Sequence, residues 1–361
     1  MTMQEPLRIG MIGCGFIGQF HSRNLRNLVR SNAVPARFVA VCDKRIERAE
    51  AFARLVGATQ VSSDAAELIA AQDIDALYIC TETAEHVALV HAAVAAGKHV
   101  FCEKPLAKNL ADARAMLAAV ERAGVVNQVG LVLRFSPVFR VLEELMRTED
   151  LGILLSAHLR DDQFLPVRGH YASGWRGDVE RAGGGTLIEH SIHDVDLFRR
   201  LFGEVHSVRC TARYVAGLPG IEDVALVRFS HVGGADTTLT SVWHDIDARG
   251  SSRRFEAFFQ RGWFSTEDDY FGSVSYQLQK GAPVTLSADE VFARFLALEG
   301  LDAADFDMRA VGGLEDRRFV EAARVGRPAQ PDFATAVAAH RIVEACYRSA
   351  RAGVDVAISD V

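Results

Sequence analysis

Apolar and polar positions divide this chain into two unlike halves. Over the first 130 residues, apolar runs at 7–12, 38–42, 76–80, 99–102 and 125–130 alternate with helix-period stretches at 16–29, 44–55, 64–71, 84–95 and 110–123. Strands buried on both faces read as unbroken apolar runs, and a regular strand–helix alternation predicts a parallel sheet covered on both sides. After Gly130 the pattern changes. Ser136-Pro137 predicts a helix start, serine as cap and proline at the first helical position, continuing over 138–147. From 206 onward, strand-like runs at 206–214, 224–230, 237–244, 254–260 and 263–267 follow one another directly. Their connections are short and carry glycine (Gly233-Gly234, Arg261-Gly262), which predicts antiparallel pairing. An alanine-rich helix over 334–352 ends at Gly353. The expected fold is a doubly wound α/β domain at 1–130 and an α+β domain at 131–361.

Composition agrees with that division and narrows the function. A chain of 361 residues exceeds the usual span of one hydrophobic core, so two domains are the default. Hydrophobic content of 49% with 24% charged residues is ordinary for a globular protein. A net charge of −7 without a basic block argues against nucleic acid as a partner. No apolar run is long enough to span a bilayer, and the first residues lack the pattern of a secretory signal, so a cytoplasmic protein is expected. The six cysteines are scattered with no C-x-x-C spacing, which points to neither a disulfide framework nor a zinc site.

The first chemical signal is Gly13-Cys14-Gly15-Phe16-Ile17-Gly18, placed after the first strand and opening the first helix. Gly13 permits a tight turn, Gly15 lets a pyrophosphate approach the backbone, and Gly18 allows the helix to pack on the strand. Asp43 closes the second strand, where an acid would bind the ribose hydroxyls of a dinucleotide. That carboxylate repels a 2′-phosphate and favours NAD, whereas Lys44 and Arg45 soften the repulsion and leave NADP open.

Two further stretches carry chemistry. The strand at 99–102 ends abruptly in Glu103-Lys104-Pro105, and strand carboxyl ends of a parallel sheet face the ligand crevice. In the second half, Gly183-Gly184-Gly185 leads into a helix beginning at Thr186. At 100° per residue, Glu189, His193, Asp196 and Arg200 fall in one stripe of an otherwise apolar helix. Ionisable groups on a buried helix must be paired or line a cavity. Glu189 and His193, four residues apart, are expected to meet, the carboxylate orienting the imidazole. His190 and Asp194 point away and are read as structural. No three ligands converge on this helix alone, so no metal is expected. Arg160, Asp161, Asp162, His170, Tyr171, Trp175 and Arg176, between the first sheet strand and this helix, offer mixed donors and an aromatic platform for a polyhydroxy ligand. Of these, Tyr171, Trp175 and Arg176 are the chosen candidates.

With these residues in hand, the chain resembles the glucose–fructose oxidoreductase / inositol dehydrogenase / rhizopine-catabolism (Gfo/Idh/MocA) family over essentially its whole length. The resemblance rests on the glycine turn with Asp43, Thr81 with His86, and Glu103-Lys104-Pro105. It continues through Leu133-Arg134-Phe135-Ser136-Pro137, Trp175-Arg176, and the triple-glycine helix with His193 and Asp196. It implies an N-terminal Rossmann domain, a second domain whose open, mostly antiparallel sheet mediates dimers or tetramers, and a last helix that packs back on the first domain. It also implies that Lys104 lies beside nicotinamide and substrate, that its following proline is cis, and that His193 acts in acid–base catalysis. Two positions depart from the family pattern. Glu189 stands where sugar and cyclitol dehydrogenases commonly carry Asp, and Thr81-Glu82-Thr83 replaces a common Thr-Pro.

The expected activity is NAD(P)-dependent hydride transfer to or from a secondary alcohol of a sugar, cyclitol or related polyol. His193 is read as the main proton acceptor or donor, with Lys104 binding the same hydroxyl; the reverse assignment stays open. Partial burial beside a cationic nicotinamide would depress the Lys104 pKa towards a useful range. Two other classes remain: an NAD-dependent glycosidase, and a non-catalytic dinucleotide- or sugar-binding regulator.

Overall fold

The structure, a computed structural model, describes residues 5–169, 171–302 and 313–361. By packing, the described chain divides into two units, one formed by residues up to 131 together with 313–337, the other by 132–302 together with 338–361.

The first unit is built on six parallel strands, β1 (Leu7–Ile12), β2 (Ala36–Cys42), β3 (Gln60–Ser62), β4 (Ala76–Ile79), β5 (His99–Cys102) and β6 (Asn127–Val129). Their order in the sheet is β3-β2-β1-β4-β5-β6, and every neighbouring pair is parallel. Such an order reverses between β1 and β4, which opens a crevice at the strand carboxyl ends. The connecting helices are α1 (Phe16–Arg30), α2 (Ile46–Val56), α3 (Ala65–Ala70), α4 (Thr83–Ala95) and α5 (Leu110–Ala123). Local chemistry sets their ends: the Asp64 side chain accepts from the Ala66 N–H at the start of α3, and Asn109 accepts from Asp112 at the start of α5. Gly57 and Gly124 close α2 and α5 in the left-handed conformation. Ile9, Met11, Tyr78, Ile79, Val100 and Phe101 are fully buried, as strands covered on both faces require.

The second unit opens with α6 (Pro137–Thr148), whose Ser136 cap accepts from the Phe139 N–H as expected. Then come β7 (Leu154–Phe164), the short α7 (Val179–Ala182), a π-helical turn at Thr186–His190, and α8 (Ile192–Phe202). The strands β8 (Val205–Arg213), β9 (Val224–His231), β10 (Asp236–His244), β11 (Ser252–Phe259), β12 (Gly262–Thr266), β13 (Val274–Leu278) and β14 (Val284–Leu286) follow. The helices α9 (Ala288–Glu299), α10 (Gly313–Val325) and α11 (Phe333–Ala352) and a last strand β15 (Val356–Ala357) complete the chain. The nine-stranded sheet runs β14-β13-β12-β11-β7-β10-β9-β8-β15, antiparallel throughout except for the β7–β10 pair. Along β9 and β10 buried positions alternate with less buried ones, so one face of the sheet is covered. Phe198 of α8 packs edge-on against Phe229 of β9, and Phe202 stacks on Phe255 of β11.

The segment of the late chain that packs on α1, β1 and β6 is α10, and the boundary between the units falls within α11, after Val337. Beyond residue 338, α11 serves the second unit: the Ser349 hydroxyl accepts from the Cys210 N–H at 2.9 Å. All six cysteines are buried free thiols. Among the described residues, no helix is long and apolar enough to cross a membrane.

Candidate active site

In the first unit, β1 delivers the chain into the glycine turn. Gly13 has φ +97°, and a Cβ there would lie 2.5 Å from the Cys80 carbonyl oxygen; one on Gly18 would lie 2.2 Å from that of Gly13. No side chain fits either contact, so α1 packs directly on the turn. Gly15 differs. Its missing Cβ faces open space apart from Arg48 Nη1 at 3.7 Å, and no side chain caps α1. The start of α1 opens on this cradle, which fits a pyrophosphate. Phe16 is exposed and Ile17 half-buried beside it. After β2, Asp43 Oδ2 accepts from the Cys14 N–H at 3.0 Å and from Arg48 Nη1 at 3.4 Å, while Oδ1 accepts from the Arg45 N–H at 3.0 Å. The acid is therefore fixed to the turn it serves. Lys44 is drawn off to Glu85. Arg48, not singled out in the sequence, borders both Gly15 and Asp43; its signal was a basic residue in the first turn of α2.

The end of β5 lies at the same carboxyl edge of the sheet. Glu103 is buried, Lys104 half-buried, and the Lys104–Pro105 peptide is cis, as the resemblance implies. Glu103 Oε2 accepts from the Lys104 N–H at 3.0 Å, and Oε1 lies 2.8 Å from His21 Nε2. His86 of α4 ties the following loop down. Its Nδ1 lies 3.1 and 3.3 Å from the carbonyl oxygens of Pro105 and Leu106, and Nε2 lies 3.3 Å from that of Thr81. Burial holds its pKa below the ordinary histidine value, so the ring is neutral at neutral pH. Thr81 and His86, brought forward only by resemblance, thus lie against the loop that follows Lys104, and the neutral ring donates to one side of it.

In the second unit the carrier of Glu189 and His193 is not one regular helix. The Ser191 N–H donates to the Thr186 carbonyl five residues back, at 2.8 Å, and α8 starts afresh at Ile192. The element expected as one regular helix is thus a π-helical turn followed by an α-helix. The charged groups of that stripe have partners from elsewhere. Glu189 Oε1 accepts from Arg176 Nε at 2.8 Å, and the Arg176 guanidinium stacks over Trp175 at 4.7 Å. Asp196 takes a two-pronged bond from Arg134, at 2.6 and 2.7 Å. Arg200 pairs with Glu143. His193 is buried in the first turn of α8. The structure therefore brings Glu189, Arg176 and Trp175 together. Tyr171 is half-buried, and His170 lies outside the described residues.

Arg160, Asp161 and Asp162 require a correction. They belong to β7 itself rather than to the connection beyond it, and their carboxylates serve structure. Asp161 accepts from the Ser191 hydroxyl at 2.9 Å and Arg253 Nη2 at 3.2 Å, and lies 3.1 Å from His190 Nε2. Asp194 accepts from Arg253 Nε at 2.9 Å. Asp162 is held by Arg160 and Arg249, both at 2.8 Å. Burial disfavours both Asp161 and Asp194 as anions. Arg253 and His190 hold Asp161 ionised below the usual carboxylate range, whereas Asp194, facing that charge, is raised well above it. His190 and Asp194 thus have the structural place the sequence reading gave them. A functional holder that it missed is Glu222. Its carboxylate accepts from the N–H groups of Gly185 and Leu187 and from the Tyr347 hydroxyl, at 2.8, 2.9 and 2.8 Å, at the start of the π-helical turn.

A 3-2-1-4-5-6 parallel sheet, an open glycine cradle at α1 and an acid fixed to it define an NAD-binding Rossmann domain. Residues 7–131 match the model of an oxidoreductase family with an NAD-binding Rossmann fold, and residues 139–265 match the GFO/IDH/MocA C-terminal domain. The chain belongs to the GFO/IDH/MocA oxidoreductase family. It is 32% identical over 267 residues to the myo-inositol 2-dehydrogenase of Thermotoga maritima, covering 71% of this chain and 74% of that protein. It is 31% identical over 251 residues to the scyllo-inositol 2-dehydrogenase (NAD(+)) of Bacillus subtilis, covering 69% and 67%. In fold it is similar to levoglucosan dehydrogenase in complex with NADH and levoglucosan, with a TM-score of 0.85 and 23% identity over 98% of this chain and 100% of that one.

Proposed function

We propose that this oxidoreductase acts reversibly on a secondary alcohol of a sugar, cyclitol or related polyol, with NAD preferred and NADP as the alternative cofactor. The observation that carries the reading is Lys104. It stands at the carboxyl end of β5, on the sheet edge that also bears the glycine cradle, with its peptide held by Glu103 and the following loop pinned by His86. Gly13, Gly15, Gly18 and the start of α1 would hold the pyrophosphate of NAD, and Asp43 its ribose. NAD, when bound, supplies the hydride acceptor or donor. His193 takes or returns the hydroxyl proton, and Lys104 binds the same hydroxyl. Glu189, its charge balanced by Arg176, binds a neighbouring hydroxyl together with Tyr171 and the Trp175 face. The relatives' named substrates are inositols, which supports the polyol class.

We also propose a cytoplasmic homodimer or homotetramer assembled through the uncovered sheet face, where Leu226 and Phe258 are exposed apolar side chains. The test is a panel of sugars and cyclitols assayed for reduction of NAD⁺ and NADP⁺, with Lys104→Ala and His193→Ala on the substrate that turns over. Each variant is expected to lose about 10²–10⁴-fold in rate while still binding NADH. Unchanged turnover in Lys104→Ala overturns the reading, and release of an aglycone without net reduction would make the chain a glycosidase.

A further inference from the structure

His21 lies on α1 just beyond the glycine turn and is fully buried, yet it carries two ion-pair contacts. Nε2 is 2.8 Å from Glu103 Oε1 and Nδ1 is 2.8 Å from Asp316 Oδ1. A ring protonated at both nitrogens donates to both carboxylates at once. The groups facing it come from four elements. Glu103 and Phe101 come from the β5 end, Tyr78 from β4, Asp316 and Glu315 from α10, and Phe20 from α1 itself. Burial works against the charged ring, but Asp316 and then Glu103 outweigh it and hold the His21 pKa well above the ordinary value. Burial likewise opposes the Glu103 anion, and the His21 bond and charge bring its pKa below the usual carboxylate range. Burial raises the Glu315 pKa well above the ordinary carboxylate value. Asp316 is steadied in turn by the Asn24 amide, 3.2 Å from Oδ2.

The clamp ends on the reactive loop. Glu103 Oε2 holds the Lys104 N–H at 3.0 Å, and a Cβ at Gly130, the residue after β6, would lie 2.6 Å from Glu103 Oε1, so glycine there leaves room for this carboxylate. We propose that His21, doubly protonated between Glu103 and Asp316, is a positioning residue that fixes the Lys104 peptide from α1 and α10. This rests on the reading of Lys104 as a proton-handling group and adds the device that aims it. A carboxylate whose two oxygens are bound on opposite sides cannot swing, and the peptide attached to one of them cannot swing either. Asp316 enters from a segment 295 positions away in sequence from His21. The packing of α10 therefore sets the lysine.

The test compares His21→Gln, which can serve only one carboxylate, with His21→Gln/Asp316→Asn, which removes the surplus buried charge and keeps a folded chain available for measurement. The chain has five lysines, so reductive ¹³C-methylation gives a countable set of NMR signals, with Lys104 assigned through Lys104→Arg. In the double variant the Lys104 titration midpoint is expected to move by about half a pH unit or more. The rate kcat on the substrate found above is expected to fall roughly 10–100-fold, with KM for NAD⁺ within about threefold. In a Lys104→Ala background, His21→Gln should then cost little further rate. A stably folded double variant with an unmoved Lys104 titration and unchanged kcat overturns the proposal. If no substrate in the panel turns over, the functional reading fails while the Lys104 titration still decides this one.

Discussion

Replacing Glu222 by alanine should loosen the turn that presents Glu189. The side chain is 1% exposed, and its two oxygens accept from the Gly185 and Leu187 N–H groups and the Tyr347 hydroxyl. Gly185 and Leu187 are buried, whereas Tyr347 is half-buried and can turn to water. The decisive loss is therefore the two N–H groups at the head of the π-helical turn. A buried donor left without a partner costs about 1–3 kcal/mol, so the pair sets the scale at roughly 2–6 kcal/mol. Water entering the vacated space would keep the effect near the lower half, about 3 kcal/mol. Glu222→Gln keeps one acceptor but turns an NH₂ group against the other N–H, and should cost roughly half as much. All three tryptophans, Trp175, Trp243 and Trp263, lie in the second unit, so intrinsic fluorescence reports its unfolding specifically. With a slope of roughly 2–3 kcal/mol per molar urea, Glu222→Ala should lower the midpoint by about 1–1.5 M at unchanged slope. A shift under about 0.3 M would show that the carboxylate does not hold the turn, and the argument would fail.

Asp43→Ala should change cofactor choice. It removes an acceptor for the ribose hydroxyls and releases Arg48 and the Arg45 N–H, so kcat/KM for NAD⁺ should fall about 10–100-fold while that for NADP⁺ holds or rises; parallel losses with both cofactors would refute the assignment. Glu315→Gln tests the buried acid beside His21. Burial raises its folded-state pKa well above the unfolded value, so its contribution to stability is full below the ordinary carboxylate range and is lost as pH rises through the folded pKa. The always-neutral glutamine escapes that loss, and its Tm relative to the parent chain should climb as pH rises above the ordinary carboxylate range. Parallel melting curves over that rise would contradict the raised pKa.

Where the sequence reading was accurate, a local physical signal existed. The bounds of β1, β5 and α5 match the runs read from the sequence because a strand buried on both faces, or a helix capped by Asn109 and Gly124, writes its limits into adjacent residues. β3 was missed because three residues with polar ends carry no run to detect. The helix α9 was overlooked although Ser287 and Glu290 form a capping box and Gly300 closes it. β7 hides its length for a different reason. Its second half reads Arg160-Asp161-Asp162-Gln163, which looks like a solvated connection, and becomes a buried strand only because Arg253 of β11 and Arg249 supply the opposite charge.

The same asymmetry explains which parts of the candidate site were legible. Lys104, His193, Asp43 and the glycines announce themselves by residue type and by their place at strand ends or helix starts. The groups that hold them, His21 with Asp316, Glu222 with Tyr347, and Arg176 with Glu189, work through pairing between distant positions, and a pair leaves no periodicity in either partner. The π-helical turn shows the consequence. A regular helix was the expectation from the apolar spacing, yet the Ser191–Thr186 bond makes a π-helical turn there, and Glu189 within it accepts from Arg176. Residue type thus marked the groups proposed to react, while the ion pairs around them join positions far apart in the chain. Substitution of the partners, rather than of the reacting groups, is what separates a correctly built site from a chain that merely contains its residues.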